Sequence, residues 1–221
     1  MPNEFIQTAR CYSLAFRGNP WNEAYLDQEG NFRGSEFDCT WRRLGFRRVY
    51  PLVDTAAYIT KELQKPGATS VSISDPNNPK LVLAFGWGFS YDYIPELVLD
   101  KWPSANINQK AELYMLIKGV IPQGGLWYLS EVGVLPDNQN RGLGTKIVNN
   151  LIEAAPKSPI IMRTNANSPM TVIAAKAGFS QIMGPRTTRN PDSGKISIGP
   201  EVINMLDSIN PDRILYYLSK E

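Results

Sequence analysis

The chain of 221 residues contains no histidine. That absence removes Ser-His and Cys-His nucleophile pairs and the usual zinc and non-haem iron ligand sets. Any proton transfer must then use Glu, Asp, Tyr, Lys, Cys, a terminus or water. Cysteine is nearly as scarce, with only Cys11 and Cys39. Two cysteines make no disulfide framework, and both read as small buried hydrophobes in a reducing, cytoplasmic setting. No apolar run approaches the roughly 20 residues that cross a bilayer. The opening Met-Pro-Asn-Glu-Phe-Ile lacks the basic and apolar parts of a secretory signal. An excess of one charge is missing too: a net +2 gives no electrostatic reason to expect nucleic acid or an anionic membrane as partner.

What is present suits one domain spanning 1–221. Hydrophobic residues make up 43% and charged residues 20%, enough for a real core under a polar surface. No internal repeat, low-complexity segment or long linker divides the chain. Spacing predicts a helix over 4–17, with Phe5, Ala9, Tyr12 and Phe16 on one side, and helical structure from Cys39 to about Leu63, interrupted near Gly45 and Pro51. Strands at 70–74 and 80–89 flank the turn Asp75-Pro76-Asn77-Asn78-Pro79. Helices follow at 94–102 and 109–120, a strand at 126–135 and a helix at 141–155. Then come a strand at 159–163, a short helix at 171–177, and a strand beginning at 179–183. A polar loop over 184–200, a helix near 201–209 and a strand at 213–218 complete the expectation.

The stretch Leu129–Thr145 carries the most information. An apolar strand runs into Pro136, crosses a polar loop, and meets Gln139-Asn140-Arg141-Gly142-Leu143-Gly144 where a helix begins. A helix N-terminus has unpartnered N–H groups and a positive partial charge. Gly142 and Gly144 remove side chains that would hold a ligand away from those donors, so the pattern suits a pyrophosphate cradle. A ligand-free glycine turn is the bland alternative. Against it, Leu143, Ile147, Val148, Leu151, Ile152 and Ala155 repeat at helical spacing and Pro156 stops the run, which puts the glycines at a strand-to-helix junction. No Gly-x-x-x-x-Gly-Lys-Ser/Thr occurs, and the third glycine of a dinucleotide fingerprint is missing.

The segment resembles motif A of the GNAT superfamily of acyl-CoA-dependent N-acyltransferases, whose signature is Arg/Gln-x-x-Gly-x-Gly/Ala after the central strand. Ile160–Asn167 followed by Ala174-Ala175-Lys176-Ala177-Gly178-Phe179 is similar to motif B, with Gly-Phe eleven and twelve residues after Asn167. The resemblance implies a single GNAT-like α/β (α+β) domain, with motif A at about 126–155 and motif B at about 159–183. Its sheet would be mixed, mostly antiparallel and splayed at the central strand, with helices on both faces and the acyl-CoA in the splay. Acetyl-CoA would be the co-substrate, with no metal. The backbone of Val132, Gly133 and Val134 would meet the pantetheine. Gln139, Asn140, Arg141, Gly142, Leu143, Gly144 and Thr145 would hold the pyrophosphate, and Asn167 would touch the cofactor. The acceptor would be a primary amine, a small molecule rather than a protein, and a homodimer is left open. Family members usually open with a β-strand, whereas here the first helix starts almost at Met1.

Amine acylation needs a base, because an ammonium near pKa 10 has no lone pair. Glu131 lies within the apolar central strand, where many family members keep an acidic base. The alternatives for it are an ion pair with Arg163 or a solvent-facing edge, while Asp92 and Glu96 are weaker candidates for the base. The family often protonates the leaving thiolate with a tyrosine seven residues after the motif B asparagine, but Ala174 stands there. Tyr128, Tyr216 and Tyr217 are substitutes, and a thiol near pKa 8.5 can also leave unaided. Trp21, Tyr25, Trp41, Trp87, Phe89, Tyr91 and Tyr93 could line an acceptor pocket by attracting a cationic amine, though Trp87 and Phe89 read more readily as core. Arg42, Arg43, Arg47 and Arg48 read as a solvated helix face before they read as a phosphate site. The rival function is a non-catalytic acyl-CoA-binding sensor or degenerate subunit.

Overall fold

A computed structural model describes residues 5–16, 52–121, 124–189, 196–203, 207 and 211–220. In chain order the elements are α1 (Ile6–Ala15), α2 (Leu52–Glu62), β1 (Thr69–Asp75), β2 (Asn78–Tyr91), α3 (Ile94–Lys101), α4 (Ile107–Val120) and β3 (Leu126–Val134). They continue through a 3-10 turn (Pro136–Asn138) to α5 (Leu143–Ala154), β4 (Ile160–Asn165), α6 (Met170–Lys176), β5 (Ser180–Arg189), β6 (Ile196–Ile203) and β7 (Arg213–Leu218). The strands join in the order β1-β2-β3-β4-β7-β5-β6. The fold is α/β with an open, mixed, mostly antiparallel sheet, as the sequence implied. Its contacts fall into two compact units. One comprises Met1–Gln64, Ser70–Trp87 and Glu131–Ile147, the other Lys65–Thr69, Gly88–Ser130 and Val148–Glu221.

In the first unit, the Asp75 carboxylate accepts from the Asn77 N–H at 2.7 Å, an Asx turn that sends the chain from β1 into β2. β1 alternates half-buried and exposed residues, whereas β2 is buried without a break from Ala84 to Phe89. An unbroken apolar run is what a strand covered on both faces requires. α1 turns Ala9, Cys11, Tyr12 and Phe16 inward, and α2 turns in Ala56 and Ile59. Tyr12 stacks over Phe85 and Trp87 at 5.8 and 6.0 Å between centroids. The Leu135 N–H donates to the Leu83 carbonyl, and Gly133 faces Phe85, so residue numbers fall along β3 as they rise along β2. A Cβ at Gly133 would overlap Cε1 and Cζ of Phe85 and lie 3.1 Å from the Ala15 Cβ. Gly133→Ala should therefore cost about 1–3 kcal/mol, as overpacking typically does. Urea unfolding checks this, and an unchanged midpoint would mean that the Phe85 ring moves aside freely.

In the second unit, β3 and β4 run parallel over Trp127–Leu129 and Ile160–Met162. β4 pairs antiparallel with β7 along its whole length, to Asn165↔Arg213. The last strand in sequence thus stands between β4 and β5. α4 opens on a reciprocal cap: the Gln109 N–H donates to the Asn106 side chain at 3.0 Å, and the Asn106 N–H to the Gln109 side chain at 2.8 Å. At the far end of α5, Lys220 Nζ donates to the Ile152 and Ala155 carbonyls, placing a cation on the negative end of the helix.

Two expectations need correction. Residues 184–200 are not simply a polar loop, and the helix near 201–209 does not form at its start. β5 instead continues to Arg189, and β6 pairs with it from Ile196 to Ile203. The signal was faint because Ile198 and Val202 are 42% and 48% exposed, so backbone pairing rather than burial defines the hairpin. A register shift sits between Pro185 and Thr187, where a proline cannot donate to the ladder. The remaining elements fall within a few residues of their expected limits, except that the early part of the expected 39–63 helix lies outside the described residues. Residues 1–4, where a family strand would begin, lie outside them too.

Candidate active site

The end of β3 and the start of α5 form one continuous turn system in the first unit. The Asn138 N–H donates to the Leu135 carbonyl at 2.9 Å and the Gln139 N–H to that of Pro136 at 3.2 Å. Gln139 Nε2 reaches back to the Val134 carbonyl at 3.4 Å, fastening the loop to the strand. Asn140 then takes φ +61° and Gly142 φ +77°. Left-handed backbone is costly for most L-residues and least so for glycine and asparagine, the two types found here. Left-handed turns on either side of Arg141 bring successive N–H groups onto one concave side, an arrangement suited to anions.

The Gly142 carbonyl accepts from the Lys146 N–H at 3.0 Å, closing the first turn of α5. The N–H groups of Leu143, Gly144 and Thr145 therefore have no intrahelical acceptor and lie at the positive end of the helix. A Cβ on Gly142 would meet no atom within 4 Å. Gly142 is thus required by its backbone conformation and borders open space, whereas Gly133 is required by packing. Exposed Arg141 adds a cation beside the turn. The donors, the dipole, the cation and the open space fit a pyrophosphate.

Glu131 and Val132 are half-buried at the end of β3, just before Gly133. The ion pair considered between Glu131 and Arg163 is taken by a different acid. Arg163 Nη2 pairs with Asp207, whose side chain is fully buried. Trp102 Nε1 donates to the same carboxylate at 2.9 Å, and the guanidinium lies 5.0 Å from the Trp102 ring centre. Asp207 had no sequence signal beyond a lone acid in a mixed segment.

Asn167 belongs to the second unit. It is exposed, and its N–H donates to the Asn165 side chain at 2.9 Å, which shapes the entry to α6. Ala174 is fully buried, and its carbonyl accepts from the Phe179 N–H at 3.0 Å. Position 174 therefore faces the core, and α6 carries no tyrosine at any position. Of the substitutes, Tyr128 and Tyr216 are buried and Tyr217 is half-buried. Burial pushes the Tyr216 hydroxyl above its ordinary value, against a hydrogen bond with Thr187 that lowers it.

Asp92 and Glu96 are exposed. The carboxylate nearby with several partners is Asp100, which accepts from the Tyr91 hydroxyl and pairs with Lys65 at 3.3 Å and Lys101 at 3.2 Å. Partial burial pushes its carboxyl up, but the tyrosine donor and the two ammonium groups outweigh this and hold it below the ordinary range. A lowered carboxyl favours the folded state above the ordinary carboxylate range and loses that effect as pH falls through the lowered value.

Trp87 and Phe89 are core residues, at 1% and 0% exposure. Trp87 Nε1 is buried with no hydrogen-bond partner among the described residues, a condition that typically costs about 1–3 kcal/mol. Trp21, Tyr25, Cys39, Trp41 and the Arg42–Arg48 cluster lie outside the described residues. Burial pushes the Cys11 thiol up to about 12, with a backbone hydrogen bond to Leu135 opposing it. Native protein at pH 8 should therefore leave Cys11 unmodified by iodoacetamide, with alkylation only after unfolding. Peptide mass mapping reads this, and rapid native labelling would contradict the burial.

Glu131, Val132, Gly133, Val134 and Gln139–Thr145 thus stand on one continuous strand–loop–helix, and Asn167 stands in the other unit. The sequence reading missed the left-handed Asn140, although Asn-x-Gly before a helix is itself a turn signal.

No family model and no curated protein matches the chain. In fold it is similar to solved GNAT acetyltransferases. One is histone acetyltransferase HPA2 and related acetyltransferase from Corynebacterium glutamicum, at TM-score 0.48 and 14% identity, covering 100% of this chain and 94% of that one. Mosquito arylalkylamine N-acetyltransferase like 5b gives TM-score 0.48 and 12% identity, covering 98% and 95%. A protein described as a GNAT-family acetyltransferase, from Desulfovibrio desulfuricans, gives 0.47 and 10%, covering 100% and 95%.

Proposed function

We propose that the chain is an N-acetyltransferase that binds acetyl-CoA at the β3–α5 turn and passes the acetyl group to a primary amine. The observation that carries this is the pair of left-handed residues, Asn140 and Gly142, before a helix start with three N–H groups available and open space in front. Those amides and Arg141 bind the pyrophosphate, and the end of β3 offers backbone groups of Val132, Gly133 and Val134 to the pantetheine. Acetyl-CoA supplies the acyl carbon and the leaving thiolate.

Glu131 takes a proton from the acceptor amine, whose nitrogen bonds to the acyl carbon as the carbon–sulfur bond breaks. The thiolate leaves unaided and is protonated by water, which agrees with the absence of a tyrosine on α6. The same absence is what favours a sensor without catalysis as the second reading.

Colorimetric detection of free thiol, with acetyl-CoA and a panel of primary amines, separates the two. Amine-dependent thiol release supports transfer. Acetyl-CoA binding without release would favour the sensor, and no binding would overturn both.

A further inference from the structure

We infer that the outward face of α4 is the contact surface for a second copy of this chain, the two helices lying side by side in the same direction. The face lies wholly in the second unit, and nothing in it depends on acetyl transfer. α4 turns Leu113 and Ile117 into the core and leaves Ile107 and Met115 79% and 64% exposed. Residues four apart share a row on a helix, so Ile107, Ala111 and Met115 make a continuous outward apolar row. On the neighbouring helix α3, Leu99 is 58% exposed, and Tyr93 just before it is 66% exposed. Half of the eight large apolar side chains exposed among the described residues thus fall within 93–115. Exposed apolar groups gathered on one helix pair mark a contact surface.

The row continues to Gly119, where a Cβ would meet no described atom within 4 Å and where φ is not left-handed. Glycine weakens a helix relative to alanine, and neither packing nor φ within the chain calls for it here. A second helix would, because glycine lets another backbone come close. The flanking rows differ in sign. On one side stand Lys110, Tyr114 and Lys118; Lys110 Nζ donates to the Pro103 carbonyl at 3.3 Å, and Lys118 Nζ lies 5.5 Å from the Tyr114 ring centre. On the other stand Asn108 and Glu112, and Glu112 pairs with no cation among the described residues. A two-fold axis along the row sets each flank against the opposite flank of the other copy, so Glu112 meets Lys118 twice. A two-fold across the row would set Glu112 against Glu112. The sign pattern is therefore its own complement, which a surface of one sign, such as an anionic membrane, is not.

Analytical ultracentrifugation of the whole chain at low salt, from about 1 µM to about 300 µM, tests this. The mass should rise with concentration from 24.7 kDa toward twice that value. Met115→Lys puts a good helix former at an exposed position and a charge in the middle of the row, so the dimer dissociation constant should rise by about 100-fold or more. Glu112→Lys and Lys118→Glu should each raise it about tenfold, and the two together should bring it back to within about threefold of the parent. Circular dichroism of all four variants should match the parent, because every substituted side chain is exposed.

A monomer at every concentration would overturn the inference. So would a dimer that Met115→Lys leaves intact, since another surface would then hold it. Loss in both single charge variants without recovery in the double one would contradict the side-by-side direction. Vesicles of mixed neutral and anionic lipid supply the last comparison. The parent should stay in solution beside them, and a monomer that sediments with them, but not as Met115→Lys, would make a lipid surface the occupant of this face instead.

Discussion

Glu131→Gln is expected to lower kcat by roughly 10²–10⁴ while leaving the affinity for acetyl-CoA unchanged, the range that general acid–base catalysis contributes. Glutamine keeps the shape of the side chain and cannot accept the proton. Glu131 is one strand step from Val132, the first of the residues assigned to the pantetheine, so a base there lies near where a thioester would end. The wild-type pH profile of kcat/KM should rise through one ascending limb as the base loses its proton. The rise assigned to the base should be missing in the variant. No descending limb from an enzyme tyrosine should follow at high pH, and Phe at positions 128, 216 and 217 should leave the profile intact. Stopped-flow thiol detection measures all four variants. Wild-type turnover by Glu131→Gln across pH would assign the proton to another group or to solvent.

Gly142→Leu should weaken acetyl-CoA binding by roughly 10²-fold, about two charge-assisted hydrogen bonds lost at about 1.5 kcal/mol each. The new side chain would enter the open space in front of the loop, since nothing in the protein lies within 4 Å of a Cβ there. The φ of +77° adds backbone strain of about 1–3 kcal/mol, so the melting temperature should fall while the fold persists. Gly142→Asn separates the two effects. Asparagine tolerates left-handed backbone, so stability should largely return while its side chain still crowds the pyrophosphate. Calorimetry with acetyl-CoA, beside circular dichroism, distinguishes them. Undiminished affinity in a folded Gly142→Leu protein would remove the site from this turn.

The sequence made the centre of the fold legible because its signals there are local. Strand, turn and helix follow one another over Leu126–Ala154, with apolar spacing switching from a continuous run to a helical repeat at the glycines. The β5–β6 hairpin was not legible, because its side chains are largely exposed and its pairing depends on backbone groups. Placement of β7 between β4 and β5 is likewise a long-range choice that no short window encodes. At Gly142 the open space in front of the residue was foreseen, and the left-handed backbone beside a left-handed Asn140 was not. Gly133 was read as a backbone partner for the pantetheine, and the overlap of any Cβ there with Phe85 is a separate, packing reason for glycine. Asp207 escaped notice as the partner of Arg163, because 44 residues separate them and only the folded chain brings them together.

The central claim is that the β3–α5 turn binds the pyrophosphate of an acyl-CoA through its backbone amides. Titration of 15N-labelled protein with CoA, followed by heteronuclear NMR, tests it residue by residue. The amide resonances of Arg141, Gly142, Leu143, Gly144 and Thr145 should show the largest shifts, saturating together with a single dissociation constant. Inorganic pyrophosphate should move the same set in the same direction. Saturable CoA binding that leaves these five amides in place, or no binding at all, would contradict the account.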